Sequence, residues 1–334
     1  MSAGGSGLAD EIEAADPLVA ALAGGGWMSG PALASQLGVT RSAVSARIGR
    51  LRRAGIDVYA VSGKGYRLAG GVDLLDAAAV RAELSSSHCA MLDQLILRQS
   101  VDSTNSVLAG YRDGATRACL AERQTAGRGR AGRSWVSPFA ANLYLSVGHD
   151  LVLPRAPVAT LSLAVGVAVA DKLAALGVAD LGLKWPNDLW IGRDKVGGIL
   201  TEARGEVAGA MRLIVGLGVN VAMPRGQANA IDQPWTRLID HVPRPISRSA
   251  VAGFCLDAVL SALLGFAAEG FAPFARRWPR YDRLAGHAVD LIENERRTPA
   301  IAHGIADDGS LLVEIDGCLR AVYAGDVSLR LSSS

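Results

Sequence analysis

The residues best suited to chemistry lie between positions 122 and 135, which read ERQTAGRGRAGRSW. Gly127, Gly129 and Gly132 alternate with Arg128, Arg130 and Arg133, and Trp135 closes the run. Glycine lets a backbone turn sharply and bring its N–H groups close to a ligand. Arginine offers carboxylate or phosphate oxygens a rigid fork of donors. Together they describe an anion-binding loop, although an exposed Gly/Arg surface loop or a nonspecific nucleic-acid contact would share the composition. GxxxxGK[ST] is absent, and no GxG here follows a strand with an acid about 20 residues on, which disfavours kinase-like and P-loop ATPase chemistry.

Lysine is rare. It occurs at 64, 172, 184 and 195 only, so arginine supplies 30 of the 34 basic residues. Two of the four lysines fall in unusual segments: Lys184 in KWPND, which ends on Asp188, and Lys195 in DKVGGIL, which runs through paired glycines into a strand-like stretch. Lys184 equally suits a strand-end surface position and Asp188 a turn cap. The four cysteines and five histidines are scattered without metal-finger or CxxC spacing, so no metal site or disulfide framework is expected.

The elements that position these residues fall into three units. The chain has 334 residues, 50% hydrophobic and 20% charged, enough to bury real cores. Residues 1–16 form an acidic Gly/Ala-rich extension, expected to be flexible. Residues 28–70 carry seven basic residues against Asp57 alone, a local net of +6 in a chain whose total is +2. Three short helical patterns capped at Ser29 and Thr40, then two strand runs around a turn at 62–65, make residues 17–70 a winged helix-turn-helix. Its third helix would present Arg41, Ser42, Ser45 and Arg47 to base edges. Arg50, Arg52 and Arg53, with Lys64 at the wing tip, would meet phosphates.

A linker helix is expected over 71–88, beginning at Gly70–Gly71. Strand-like runs and long helical patterns at 157–176 and 247–269 fill a mixed-sheet α+β unit over 89–282. Short strands with Asp-Gly turns make 283–334 a small SH3-like β-barrel. The longest apolar run, 161–170, is about ten residues where a bilayer crossing needs about 20, so no membrane association is expected. The N-terminus lacks a basic-then-apolar leader, and the expected location is the cytoplasm.

Ser103-Thr104-Asn105, the 127–135 loop, Trp185-Pro186-Asn187-Asp188, the 194–200 segment and Gly216-Leu217-Gly218-Val219-Asn220 together resemble the biotin–protein ligase family. With the winged helix, the chain from about residue 17 onward is similar to its bacterial bifunctional branch, which also represses the biotin operon. The central unit is then biotin/lipoate-ligase-like. The resemblance implies that biotin and ATP give biotinyl-5′-AMP, which then acylates a lysine of the biotin carboxyl carrier protein of acetyl-CoA carboxylase. It implies a biotin- and nucleotide-binding set of Ser103, Thr104, Asn105, Gln124, Gly127, Arg128, Gly129, Arg130, Arg133, Trp135, Lys195 and Asn220. Arg130 and Lys195 would act on the carboxylate and phosphate, and Asp188 on the incoming lysine. Mg2+ would arrive with ATP, with no protein metal site.

The resemblance further implies an adenylate-bound homodimer on operator DNA of biotin-synthesis genes. The sheet edge near 213–221 is the expected dimer surface. Two alternatives stay open: a ligase whose winged helix regulates nothing, and a biotin-sensing transcription factor with little ligase activity. A lipoate ligase fits the segments poorly.

Overall fold

The computed structural model describes residues 8–53, 55–68, 72–152, 157–207, 210–227, 231–293, 296–323 and 328–331. Residues 8–16 of the acidic extension are not the flexible tail expected from its composition. Although residues 1–7 lie outside the described residues, β1 (Glu11–Ile12) pairs in parallel with residues 96–97 at the margin of the central sheet. The Asp10 carboxylate meets Arg81 at 2.5 Å and accepts the Leu95 N–H, and Glu11 pairs with Arg98. Docking against two arginines and a strand edge overrides a composition that locally favours disorder.

Side-chain caps start each helix of the winged unit. Asp16 accepts from Leu18 N–H at α1 (Pro17–Leu22), Ser29 from Ala32 at α2 (Gly30–Gln36), and Thr40 from Ala43 at α3 (Arg41–Arg53). Each cap satisfies an amide that the first turn leaves open and contributes ~1 kcal/mol. Val44, Ile48 and Leu51 of α3 are buried with Leu18, Leu22 and Leu33. The wing is β2 (Val58–Val61) paired antiparallel with β3 (Gly65–Leu68). Arg52 departs from its expected phosphate role, because its guanidinium donates to the Val58 carbonyl and ties α3 to the wing.

Gly70 and Gly71, the expected start of the linker, lie outside the described residues. The linker beyond them holds two helices, α4 (Ala77–Ala82) and α5 (Ser86–Met91), because Ser85 caps a new helix where the sequence suggests only a polar break. Both pack on α8 (Arg248–Glu269). There Asp257 accepts the Ser85 N–H and pairs with His88 and with Lys172 of α7 (Leu161–Ala175). At the start of α8, buried Arg248 pairs with Glu122 at 2.8 Å, and Glu122 accepts the Leu75 N–H. The linker is thus part of the packed body.

The central unit is one mixed eight-stranded sheet in the order β1-β4-β5-β6-β10-β9-β8-β7. Its strands are β4 (Gln94–Arg98), β5 (Arg117–Ala121), β6 (Leu143–Val152), β7 (Leu181–Lys184), β8 (Asp188–Ile191), β9 (Asp194–Val207) and β10 (Ala210–Val219). Period-two alternation divides the residues between the faces. Leu143, Leu145, Val147, Ile199, Leu213, Val215 and Leu217 join the core built with α7 and α8. Tyr144, Ser146, Gly198, Leu200, Glu202, Gly216 and Gly218 point the other way, toward α6 (Thr104–Ala109). Residues 158–175, which contain α7, and α8 are each long and apolar enough to cross a membrane, yet about two-thirds of each apolar window is buried, as in core helices.

One expectation is corrected by this order. β10 is paired with β6 on one flank and β9 on the other, so the 213–221 stretch is interior and offers no free edge. The open flank nearby belongs to β9 beyond Ile199, where β8 no longer pairs.

After α9 (Ala272–Ala275) the chain enters a small five-stranded antiparallel sheet. Its strands are β11 (Ala288–Glu293), β12 (Arg296–Ile305), β13 (Leu311–Ile315), β14 (Cys318–Val322) and β15 (Ser328–Leu331), in the order β14-β13-β12-β11-β15. Its buried residues are continuous with the central core, and the buried Trp185 indole donates to the Gly309 carbonyl.

Candidate functional site

The Gly/Arg segment folds as a hairpin. Trp135 N–H donates to Gly127 O (2.8 Å), Gly129 N–H to Arg133 O (2.6 Å), and Arg128 and Ser134 form a bridge. At its tip Ala131 and Gly132 are both left-handed, with φ of 52° and 71°. This exposed turn leaves Arg128 and Arg133 open to solvent and Arg130 half-buried. Burial draws the Arg130 guanidinium below its ordinary value, while the Asp188 carboxylate pulls it back up.

Glycines on the sheet make room for what the hairpin lays over it. A Cβ on Gly218 would stand 2.5 Å from the Trp135 ring, and one on Gly198 3.3 Å from it. A Cβ on Gly216 would stand 2.4 Å from Asn105 Oδ1. The bare backbone of β9 and β10 is therefore the surface on which Trp135 and Asn105 rest. The repeated glycines of 197–198 and 216–218, which could be read as turns, are contact positions inside strands.

Beneath the hairpin lies a cavity of about 360 Å³, within the usual range for small-ligand sites. Of the residues expected at the site, Ser103, Thr104, Asn105, Gln124, Arg128, Gly129, Arg130, Arg133, Trp135, Lys195 and Asn220 line it. Gly127 does not; it is buried at the base of the hairpin, packed against Trp135 O and Ser137 Oγ. Lys184 lies away from the cavity with its ammonium 5.1 Å from the Trp190 ring centre. Asp188 stands behind the lining, 2.7 Å from the Lys195 ammonium, with both side chains about nine-tenths buried. Lys195 also lies 5.6 Å from the Trp135 ring centre.

The polar corner is wired together. Gln124 Oε1 accepts from the Thr104 N–H at 2.9 Å. Buried Ser146 lies 2.7 Å from Thr104 Oγ1 and 2.6 Å from Asn105 Oδ1. Sequence reasoning missed Ser146, though a serine inside the apolar run LYLSVG was a usable signal. It also missed Asn187, Asp232 and Trp235 of the lining, the last two on a segment bonded to the Lys195 backbone on both sides. Among the described residues no three His, Cys, Asp or Glu side chains gather as a metal site.

On the winged unit, Arg41, Ser42, Ser45, Arg50 and Lys64 are exposed and Arg47 is half-buried. The first four with Arg47 lie on one helix, and Lys64 lies at the tip of the wing.

This combination of sheet, hairpin and polar corner defines a class. Residues 98–220 match the Biotin/lipoate A/B protein ligase family, residues 18–67 an HTH domain, and residues 286–330 the Biotin protein ligase C terminal domain. The chain is 38% identical to the bifunctional ligase/repressor BirA of Salmonella typhimurium over 94% of its length and 96% of that protein. It is 31% identical to BirA of Bacillus subtilis over 92% of its length and 95% of that protein. The biotin protein ligase of Aquifex aeolicus, solved in complex with biotin and ATP, superposes with a TM-score of 0.61 at 29% identity. That likeness covers 71% of this chain and 99% of the other. The chain belongs to the BirA family of bifunctional biotin–protein ligases.

Proposed function

We propose that this chain activates biotin with ATP and transfers it to a lysine of the biotin carboxyl carrier protein of acetyl-CoA carboxylase, in the cytoplasm. We further propose that it represses biotin-synthesis genes as an adenylate-bound homodimer. The observation that carries the first reading is one cavity lined by the arginine hairpin, the Ser103–Asn105 corner and Lys195, with Asp188 paired to Lys195 behind the lining. The winged helix with its exposed basic face supports the second. The unit boundaries proposed with it are 17–70, 71–88, 89–282 and 283–334.

In the first step a carboxylate must approach a triphosphate, and two anions repel. Arg128, Arg130, Arg133 and Lys195 offset that repulsion and stabilise charge developing on phosphoryl oxygens, as fixed donors do best in a partly dry site. Mg2+ travels with ATP as part of the substrate. The acceptor lysine, with an ordinary pKa of about 10.4, is free base in only about one molecule in 2,500 at neutral pH. A negative charge at Asp188 favours the ammonium form, so it does not lower that pKa. Its role is to orient the amine and accept its proton as the amide bond forms. Trp135 and the hairpin cover the mixed anhydride against water.

The test is direct. Purified protein is given biotin, ATP and carrier protein, and is also titrated onto biotin-promoter DNA with and without biotin plus ATP at several salt concentrations. Biotinylated carrier, with promoter binding that is cooperative, tightened by the adenylate and steeply weakened by salt, supports both roles. Biotinylation with equal, weak binding to promoter and random DNA leaves a ligase alone; ligand-tightened promoter binding without biotinylation leaves a sensor.

A further inference from the structure

Glu202 belongs to none of the groups to which a role has been given, yet it touches two of them. It lies on β9, on the sheet face under the hairpin, and its side chain is 20% exposed. One carboxylate oxygen lies 3.1 Å from Arg128 Nη1 and the other 3.4 Å from Arg128 Nη2, a two-point contact. The second oxygen also accepts from Asn105 Nδ2 at 3.3 Å, with Arg204 at 3.7 Å on its outer side. Arg128 in turn donates to Ser106 beside Asn105.

We infer that Glu202 is a positioning residue for biotin activation, fixing the fork of Arg128 and the amide orientation of Asn105 together. This rests on the ligase reading and deepens it. A carboxylate is an acceptor only, so the group facing it from Asn105 must be the amide NH₂. Asn105 Oδ1 then faces Ser146, whose hydroxyl supplies a donor. One fixed charge thereby decides which end of the amide faces β9 and which faces Ser146 on β6. It likewise binds a guanidinium two-point, which sets the plane of the arginine as well as its place.

The same contact pins the hairpin to the sheet. Backbone bonds hold the two strands of the hairpin to each other, whereas the Arg128–Glu202 pair crosses from hairpin to β9. A second cavity is bounded by residues 128–133 together with Leu200 and Glu202, so the carboxylate stands where the loop meets the sheet. With Glu202 replaced, the loop keeps its shape but loses this anchor, and the Asn105 amide is free to present either end.

The experiment compares wild type with Glu202→Gln, Glu202→Asp, Arg128→Gln and the Glu202→Gln/Arg128→Gln double variant. Adenylate formation is followed without acceptor, and release of preformed biotinyl-AMP is followed in a chase. Wild-type adenylate formation tests the ligase reading by itself. Given that, Glu202→Gln is expected to raise half-saturating biotin and speed adenylate release by roughly 10-fold each, with the maximal rate changed less than about 3-fold. Glu202→Asp should recover part of both. In the Arg128→Gln background the Glu202 change should add little, since contacting residues are not additive. Wild-type release from Glu202→Gln, a fall in maximal rate with unchanged half-saturation, or full additivity in the double variant would each overturn the assignment.

Discussion

The Lys195 ammonium and the Asp188 carboxylate lie 2.7 Å apart with side chains only 10% and 9% exposed, so each is the other's principal counter-charge. Removing one partner of such a pair strands the other charge away from water, at a cost of about 3–5 kcal/mol when burial is complete. Asp188→Asn should therefore lower the melting temperature, and should also slow acyl transfer by roughly 100-fold or more if Asp188 accepts the proton. Single-turnover transfer from preformed adenylate to carrier protein, beside a thermal melt, reads both. Transfer at the wild-type rate would remove Asp188 from the chemistry.

Arg130 lies half-buried at the hairpin tip, where its charge can hold a phosphate that the loop encloses. Arg130→Gly should keep adenylate formation measurable while biotinyl-AMP escapes at least about 10-fold faster. The readout is biotin on lysines of a bystander protein, which rises in the variant. Unchanged release of the intermediate would sink the idea.

Gly218 has no room for a side chain beneath Trp135, since its Cβ would come within 2.5 Å of the indole. Gly218→Ala should lift Trp135 from the sheet and weaken biotin binding by roughly 10-fold or more, at a stability cost of about 1–3 kcal/mol for overpacking. Titrating biotin against tryptophan fluorescence checks the affinity. A fully wild-type titration would show that the indole can shift without cost.

Acid should loosen both ties of the winged unit. Burial raises the Asp257 carboxyl, but Lys172, the Ser85 amide and His88 outweigh it and hold it down at about 2. Burial likewise raises Asp10, and Arg81 with the Leu95 amide brings it net below its ordinary value; Arg98 holds Glu11 below its own. A carboxyl lowered in the folded state stabilises the fold above its unfolded pKa and loses that contribution as pH falls through the folded value. Asp257→Asn should thus lower the melting temperature by roughly 2–6 °C near neutral pH, with the gap closing between about pH 4 and pH 2. A gap independent of pH would contradict the pairing.

The regions legible in the sequence are those where local and tertiary demands agree. Ser29 and Thr40 cap helices whose apolar stripes are buried in the structure, and the long patterns at 157–176 and 247–269 contain α7 and α8. Most of the cavity lining was legible through the resemblance to the ligase family, whereas the Gly/Arg spacing by itself pointed only to an anion-binding loop. What escaped depends on contacts distant in the chain. β1 is two residues in an acidic run, and it becomes a strand through pairing with β4 and ion pairs to Arg81 and Arg98, contacts distant in the chain. β8 is four buried residues after a turn containing a cis Trp185–Pro186 bond, too short to show a period. Glu202 lies near the end of a strand-like run, and nothing local to TEARGE announces the hairpin that lies over it.

The docking of β1 gives the DNA-reading head two attachments, one through the ordered arm before α1 and one through the linker bonded to α8. A head on a single tether swivels, and two such heads accept half-sites over a range of separations. A head held at both ends has little rotational play, so in the proposed homodimer the separation and helical phase of the two heads would become properties of the assembled body. Inserting one base pair between half-sites turns one of them by about 35° around the duplex. A swivelling head would absorb that rotation; one held at two points would have to strain the duplex or let go of one half-site.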